Sequence, residues 1–137
     1  MAALDEIREA LRDEGGLLAG ALTGAPDASS EELGARVGAT RGPDYAFVVE
    51  AIHEGHLLHD GRSRLLDQSD PDLALLAGDR LYALGLERLA ALEDLDAVAI
   101  LAEVISRCAQ ARAEDRPELA TEAWESAARQ LTADVAP

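Results

Sequence analysis

Three histidines and their neighbouring carboxylates, packed into one short stretch, carry most of the chemistry open to this chain. Within Glu50-Ala51-Ile52-His53-Glu54-Gly55-His56-Leu57-Leu58-His59-Asp60 an imidazole recurs every third residue, and a glutamate stands three residues before the first. On a helix, steps of three turn the chain by about 300° each, so the rings drift over a sector of roughly 120° and can face a common cavity. Glu50, His53 and His56 are therefore a candidate metal set, because E-x-x-H places a carboxylate and an imidazole on one helix face. A di-iron site of that kind needs a second E-x-x-H and further glutamates from other helices, and no second E-x-x-H occurs. The plainer reading is three hydrogen-bonded or partly exposed histidines.

Other reactive side chains lack company. Glu50 and Asp79 sit in apolar surroundings that could perturb their pKa values, but neither has a nucleophile or matched partner at a defined spacing. For Asp79 a hydrogen bond or ion pair to a neighbouring helix, through an arginine, is the structural expectation. Cys108 is the sole cysteine, so it cannot form an intramolecular disulfide and is expected as a buried thiol. No phosphate-cradling loop, Ser-His-Asp order or Cys-His pair is present.

The elements that must position these groups read as helices. The 137 residues suffice for a single helical domain that buries roughly two thirds of its unfolded surface. Apolar residues make up 48% of the chain and are mostly Ala, Leu, Val and Ile, with one Trp, one Phe and two Tyr. Ala and Leu favour helices. Punctuation by Gly, Pro and Ser marks about six segments. The first spans about residues 3–22 and is weakened at Gly15-Gly16. Ser29-Ser30-Glu31-Glu32 carries the S-x-x-E pattern of a capping box, and Asp44 is expected to cap the histidine helix, Tyr45 to His59. After a polar loop from Gly61 to Ser69, Asp70-Pro71 caps and opens a helix to about Leu92, whose leucines cover much of its circumference and imply burial on most sides. Glu93-Asp94 starts the next helix, and Arg116-Pro117 breaks it from a final amphipathic one. Nothing alternates with a period of two, so an all-α bundle is expected.

Charge narrows the partners. The net charge is -15, and all 12 basic residues are arginine. So acidic a surface repels nucleic-acid phosphates and anionic lipid headgroups. The N-terminal residues lack the basic start and apolar core of a signal peptide, and no apolar run reaches spanning length, which leads to the expectation of a cytoplasmic protein without an integral membrane segment.

The histidine stretch, together with Leu76-Ala77-Gly78-Asp79-Arg80-Leu81-Tyr82-Ala83, resembles the first aspartate-rich region of trans-polyprenyl diphosphate synthases, whose pattern runs E-x-I-H-x-x-S-L-I-H-D-D-x-x-D and then L-A-G-D-x-L-x-A. The likeness covers about residues 45–115 and implies part of the isoprenoid synthase fold. In that family the aspartate-rich motifs hold Mg²⁺ against an allylic diphosphate. Here His59 and Asp60 begin the motif, but Gly61 and Arg64 stand where two aspartates would be, and neither the second motif nor a G-G-K-R-x-R-P run occurs. Arg62 and Arg64 are candidate diphosphate contacts, since guanidinium pairs bidentately with phosphate.

The resemblance thus implies a subunit of isoprenoid biosynthesis that is not an enzyme on its own, similar to the small subunits of two-component long-chain synthases. Such a subunit would bind no cofactor, meeting Mg²⁺ only through a catalytic partner whose product channel it helps to shape. Its expected partners are a full-length polyprenyl diphosphate synthase subunit or a second copy of itself, through an interface at Leu76, Leu81 and Leu84. A homodimeric helical scaffold or lipid-binding module is the alternative from another class, and a metal-binding bundle the third.

Overall fold

The computed structural model describes residues 2–24 and 31–133. Among them are seven α-helices, α1 (Ala3–Glu14), α2 (Gly16–Gly20), α3 (Glu32–Arg41), α4 (Pro43–His59), α5 (Pro71–Ala91), α6 (Leu95–Ala113) and α7 (Pro117–Ala133). No strand occurs among the described residues, and the one isolated bridge pairs Leu22 with Leu66. The all-α bundle expected from the sequence is present, with one helix more than expected. The extra helix arises where Gly15 and Gly16 take φ of 72° and 74°, values that glycine adopts without a Cβ penalty, so the first segment breaks rather than bends.

Helix starts follow local chemistry with one correction. Asp70 caps α5, its carboxylate accepting from the N–H groups of Asp72 and Leu73, with Pro71 in the first turn. Asp94 caps α6 by accepting from Ala97 N–H, and Pro117 opens α7. Asp44 does not cap α4. That helix begins two residues earlier than expected, at Pro43, after Gly42 with φ of 101°, leaving Asp44 in the first turn 3.6 Å from Arg88. Ser29 and Ser30 of the proposed capping box lie outside the described residues, while Glu31 reaches away from its own helix to accept from Leu4 N–H at 2.8 Å.

The central element is α4, not α5. Helices α1, α3, α5 and α6 all pack on α4, and every residue from Phe47 to Leu58 except His53 is buried. The expectation that α5 is buried on most sides is corrected: Ala74, Ala77, Gly78, Leu81, Gly85 and Leu89 form one buried stripe, while Leu75 and Leu76 are 55% and 57% exposed. Small residues explain the difference. A Cβ on Gly55 would lie 2.9 Å from Gly78 O, and one on Gly85 would lie 3.2 Å from Val48 O. The α4 and α5 backbones approach so closely through these glycines that the seam is made by small residues with Leu81 and Leu89, and the other leucines of α5 fall outside it.

Two apolar cores flank α4. Leu4, Ile7 and Leu11 of α1 meet Phe47, Ala51, Leu58 and Leu81 on one side. On the other, Val37, Val48, Val49, Ile52 and Leu89 meet Leu101, Val104, Trp124 and Leu131 of α6 and α7. The Gly61 to Ser69 loop is strapped down by Thr23 N–H to Leu65 O at 2.8 Å and Asp67 N–H to Ala21 O at 2.9 Å, burying Leu65 and Leu66. Cys108 is the buried thiol expected, and burial pushes it up to about 11.

Candidate functional site

Two polar clusters lie on α4, one closed and one open. The closed cluster contains Glu50 and Glu54, both fully buried and one helical turn apart. Arg64, carried on the loop after α4, reaches both: its Nη1 lies 2.6 Å from Glu50 Oε1 and its Nε lies 2.9 Å from Glu54 Oε1. Gly34 N–H donates to Glu50 Oε2 at 2.7 Å, Ser63 Oγ donates to Glu54 Oε2 at 2.5 Å, and Arg64 N–H adds a third bond to Glu54 at 3.1 Å. Burial raises the Glu50 pKa, opposed by the charge and hydrogen bond of Arg64. Gly34 is required here, because a Cβ would stand 2.7 Å from Glu50 Oε2.

This cluster absorbs two of the residues singled out in the sequence. Glu50 lies 4.0 Å from His53 Nδ1, yet its oxygens already receive Arg64 and Gly34. Among the described residues no group of three or more His, Cys, Asp or Glu side chains is placed to hold a metal ion. Arg64, a candidate diphosphate contact, is directed into the fold toward the two glutamates, with only 11% of its side chain exposed.

The open cluster lies toward the C-terminal end of α4. Asp60 is shared by two guanidinium groups, Arg112 Nε at 2.9 Å and Arg62 Nη2 at 3.2 Å, and lies 3.3 Å from His56 Nε2. Burial works against ionisation of Asp60, but the Arg112 hydrogen bond, the nearby imidazole and Arg62 hold its carboxyl below the usual range. Two adjoining cavities of about 270 and 210 Å³ open beside it, sharing His56, Arg62, Pro117 and Ala120 as walls. Asp60, Arg112, Asp115 and Arg116 also line the first; His53, Leu57 and Trp124 line the second together with the charged Glu32, Arg36 and Glu125.

The histidines divide between two sides of α4. His53 and His56 stack with ring centroids 6.4 Å apart, and Trp124 meets His53 edge-on at 5.0 Å. Burial, reinforced by the charge of Arg64, drops the His53 pKa to about 3, and burial also lowers that of His56. The Nδ1 atoms of both rings are buried without a hydrogen-bond partner. His59 instead faces α5, with Nε2 3.3 Å from Asp79 Oδ1 and its ring edge-on to Tyr82. The common cavity therefore takes two imidazoles rather than three. Asp79 pairs with a histidine, not an arginine, and its side chain is 74% exposed.

The candidate interface residues also separate. Leu81 is fully buried within the chain's own core, Leu84 is half-buried against it, and Leu76 faces solvent. Leu81 is thus corrected from an interface position to a core position, because it lies on the glycine-lined stripe of α5. Arg112, Arg116 and Trp124 escaped the sequence reading. They stand more than fifty residues from Asp60, and no local pattern joins them to it.

The residues around Asp60 do not fit a Mg²⁺ diphosphate centre. That ion needs several oxygen ligands, including more than one carboxylate or substrate oxygen, and here a single carboxylate is shared by two arginines. No family model, no characterised protein and no solved structure matches the chain. The resemblance to polyprenyl diphosphate synthases rests on the motif residues.

Proposed function

We propose that the chain is a non-catalytic, synthase-like subunit that pairs with a catalytic polyprenyl diphosphate synthase subunit and helps to shape its product channel. The observation that carries this reading is the fate of the carboxylates on and just after the motif helix. Glu50 and Glu54 are closed by Arg64, and Asp60 is held by Arg62 and Arg112. Ion pairs have taken the place of a metal-seating surface, while the resemblance retains the helix pair that would carry it.

The docking element in this proposal is the outer face of α5, where Leu75 and Leu76 stand exposed beside Asp72 and Asp79, with Leu95 exposed at the start of α6. Exposed apolar side chains rimmed by polar ones suit an interface. The acidic rim disfavours a second copy, since an isologous contact sets like charges against one another. A catalytic partner with basic groups around an apolar groove is the better match. Co-expression of the tagged chain with the full-length synthase of its source tests the reading. A stoichiometric complex that Leu76→Arg weakens is expected. A chain that elutes alone at about tens of micromolar, well folded and separate from the synthase, defeats it.

A further inference from the structure

Helix α2 has neither a polar side chain nor a buried residue. Its five residues, Gly16-Leu17-Leu18-Ala19-Gly20, carry no charge and no hydrogen-bonding side group, and none of them is buried in the fold. Leu17 is 76% exposed, more than either leucine on the outer face of α5. A helix that is apolar all round is ordinarily enclosed all round, so α2 lacks a cover that the described residues do not supply.

The segment lies along α5 and opens a groove there. Glu14, at the end of α1, pairs with Arg80 at 2.7 Å. Two turns earlier on α5, Leu73 lines a groove of about 360 Å³ together with Leu17, Gly20 and Ala21. Space remains at Gly20, where a Cβ would meet nothing within 4 Å. Leu76, three residues beyond Leu73 on the same helix, is 57% exposed and extends the apolar strip.

The polar wall of this groove is acidic. Asp67, Ser69 and Asp70 line it, and no arginine does. Asp67 and Asp70 are exposed, and among the described residues their carboxylates accept only from backbone N–H groups. Both negative charges therefore stand without a cation beside an uncovered apolar surface.

We propose that the groove between α2 and α5 docks a cationic amphipathic helix of another protein, with an aliphatic side chain seated between Leu17 and Leu73 and lysine or arginine groups over Asp67 and Asp70. Apolar burial supplies the attraction and the acidic wall selects the partner. A second copy of this chain would bring a net charge of -15 against the same wall, and an anionic membrane surface is repelled for the same reason. The docking stands apart from pairing with a synthase, because α2 lies outside the region of likeness to that family.

Three fluorescein-labelled helical peptides of about 18 residues are the probes: one with leucines on one face and lysines on the other, one with those leucines replaced by alanine, and one with the lysines replaced by glutamate. Anisotropy is read with the full chain at about 0.15 M salt, where exposed charges are screened beyond about 8 Å. The leucine–lysine peptide is expected to bind saturably, at least ~10-fold tighter than either other peptide. Gly20→Leu fills the groove where there is space for a side chain, and Leu17→Ser removes its most exposed wall; each should weaken binding by about tenfold or more while the helical circular dichroism stays unchanged. Sedimentation of the chain alone and binding to phosphatidylcholine vesicles test the competing occupants. No saturable binding of the leucine–lysine peptide, equal binding of the alanine peptide, undiminished binding by both folded variants, or a dimer or vesicle complex that Leu17→Ser abolishes would overturn the assignment.

Discussion

The two clusters on α4 use the same side-chain types and end in opposite states. At Glu50 and Glu54, two buried carboxylates meet Arg64, a serine hydroxyl and two backbone N–H groups, and every carboxylate oxygen has a donor. At His56 and Asp60, one carboxylate meets two arginines, and the imidazole beside it keeps a buried, unpartnered nitrogen next to open cavities. The first cluster is sealed inside the fold, whereas the second lies against open cavities. The loop after α4 makes the difference, turning Arg64 inward and Arg62 outward from positions two residues apart.

Breaking the closed cluster should have the largest effect. Arg64→Ala leaves two buried carboxylates without their cation, a change that typically costs about 3 to 5 kcal/mol, and thermal or urea denaturation should show most of the domain's stability gone. Arg62→Ala, at an exposed side chain, should change stability by under ~0.5 kcal/mol. Comparable losses from the two variants would erase the distinction between the clusters.

Next in size is the glycine seam that fixes α4 against α5. A Cβ on Gly55 would meet the Tyr82 ring at 2.6 Å and Gly78 O at 2.9 Å. Gly55→Ala should therefore destabilise by about 1 to 3 kcal/mol through overpacking, read as a lower urea midpoint with an unchanged slope.

The open cluster should reveal itself through pH. The His53 imidazole stays neutral in the fold down to about 3, whereas its ordinary value is 6.5, so in that window the unfolded chain binds the extra proton. Stability from this group is complete above 6.5 and falls as pH falls, by about 2 kcal/mol at pH 5. Glu50, raised by burial, works the opposite way above its ordinary carboxyl range, favouring the fold where it keeps its proton. His53→Gln isolates the histidine contribution: the loss of stability between about pH 6.5 and 5 should become shallower than in the parent chain. An unchanged slope would show that His53 is not held neutral.

The smallest effect on stability belongs to the surface. Leu76→Arg should shift Tm by only a degree or two, since changes at exposed positions usually fall within about 0.5 kcal/mol.

What the sequence disclosed follows how local each cause is. Asp70-Pro71, Asp94 and Arg116-Pro117 announced helix starts because capping is decided within four residues. The histidine helix was legible for the same reason, being one periodic run. The rank of the helices was not: α5 has more leucines, but Gly55, Gly78 and Gly85 decide which of its faces meets α4, and glycine carries no hydrophobic signal. In the site, Asp60 was visible from its motif, whereas Arg112 and Trp124 arrive through tertiary folding of α6 and α7. Arg64 read as a candidate diphosphate contact, like Arg62, because nothing in Gly61-Arg62-Ser63-Arg64 indicates which arginine turns inward.

The most direct test of the proposed role is a prenyltransferase assay with Mg²⁺, an allylic diphosphate and isopentenyl diphosphate, run with the chain alone, the cognate full-length synthase alone, and both together. The ion-paired state of Glu50, Glu54 and Asp60 predicts no product above the no-protein control from the chain alone, and a mixture that differs from the synthase alone in rate or product length. Turnover by the chain alone, or a mixture indistinguishable from the synthase alone, would contradict it.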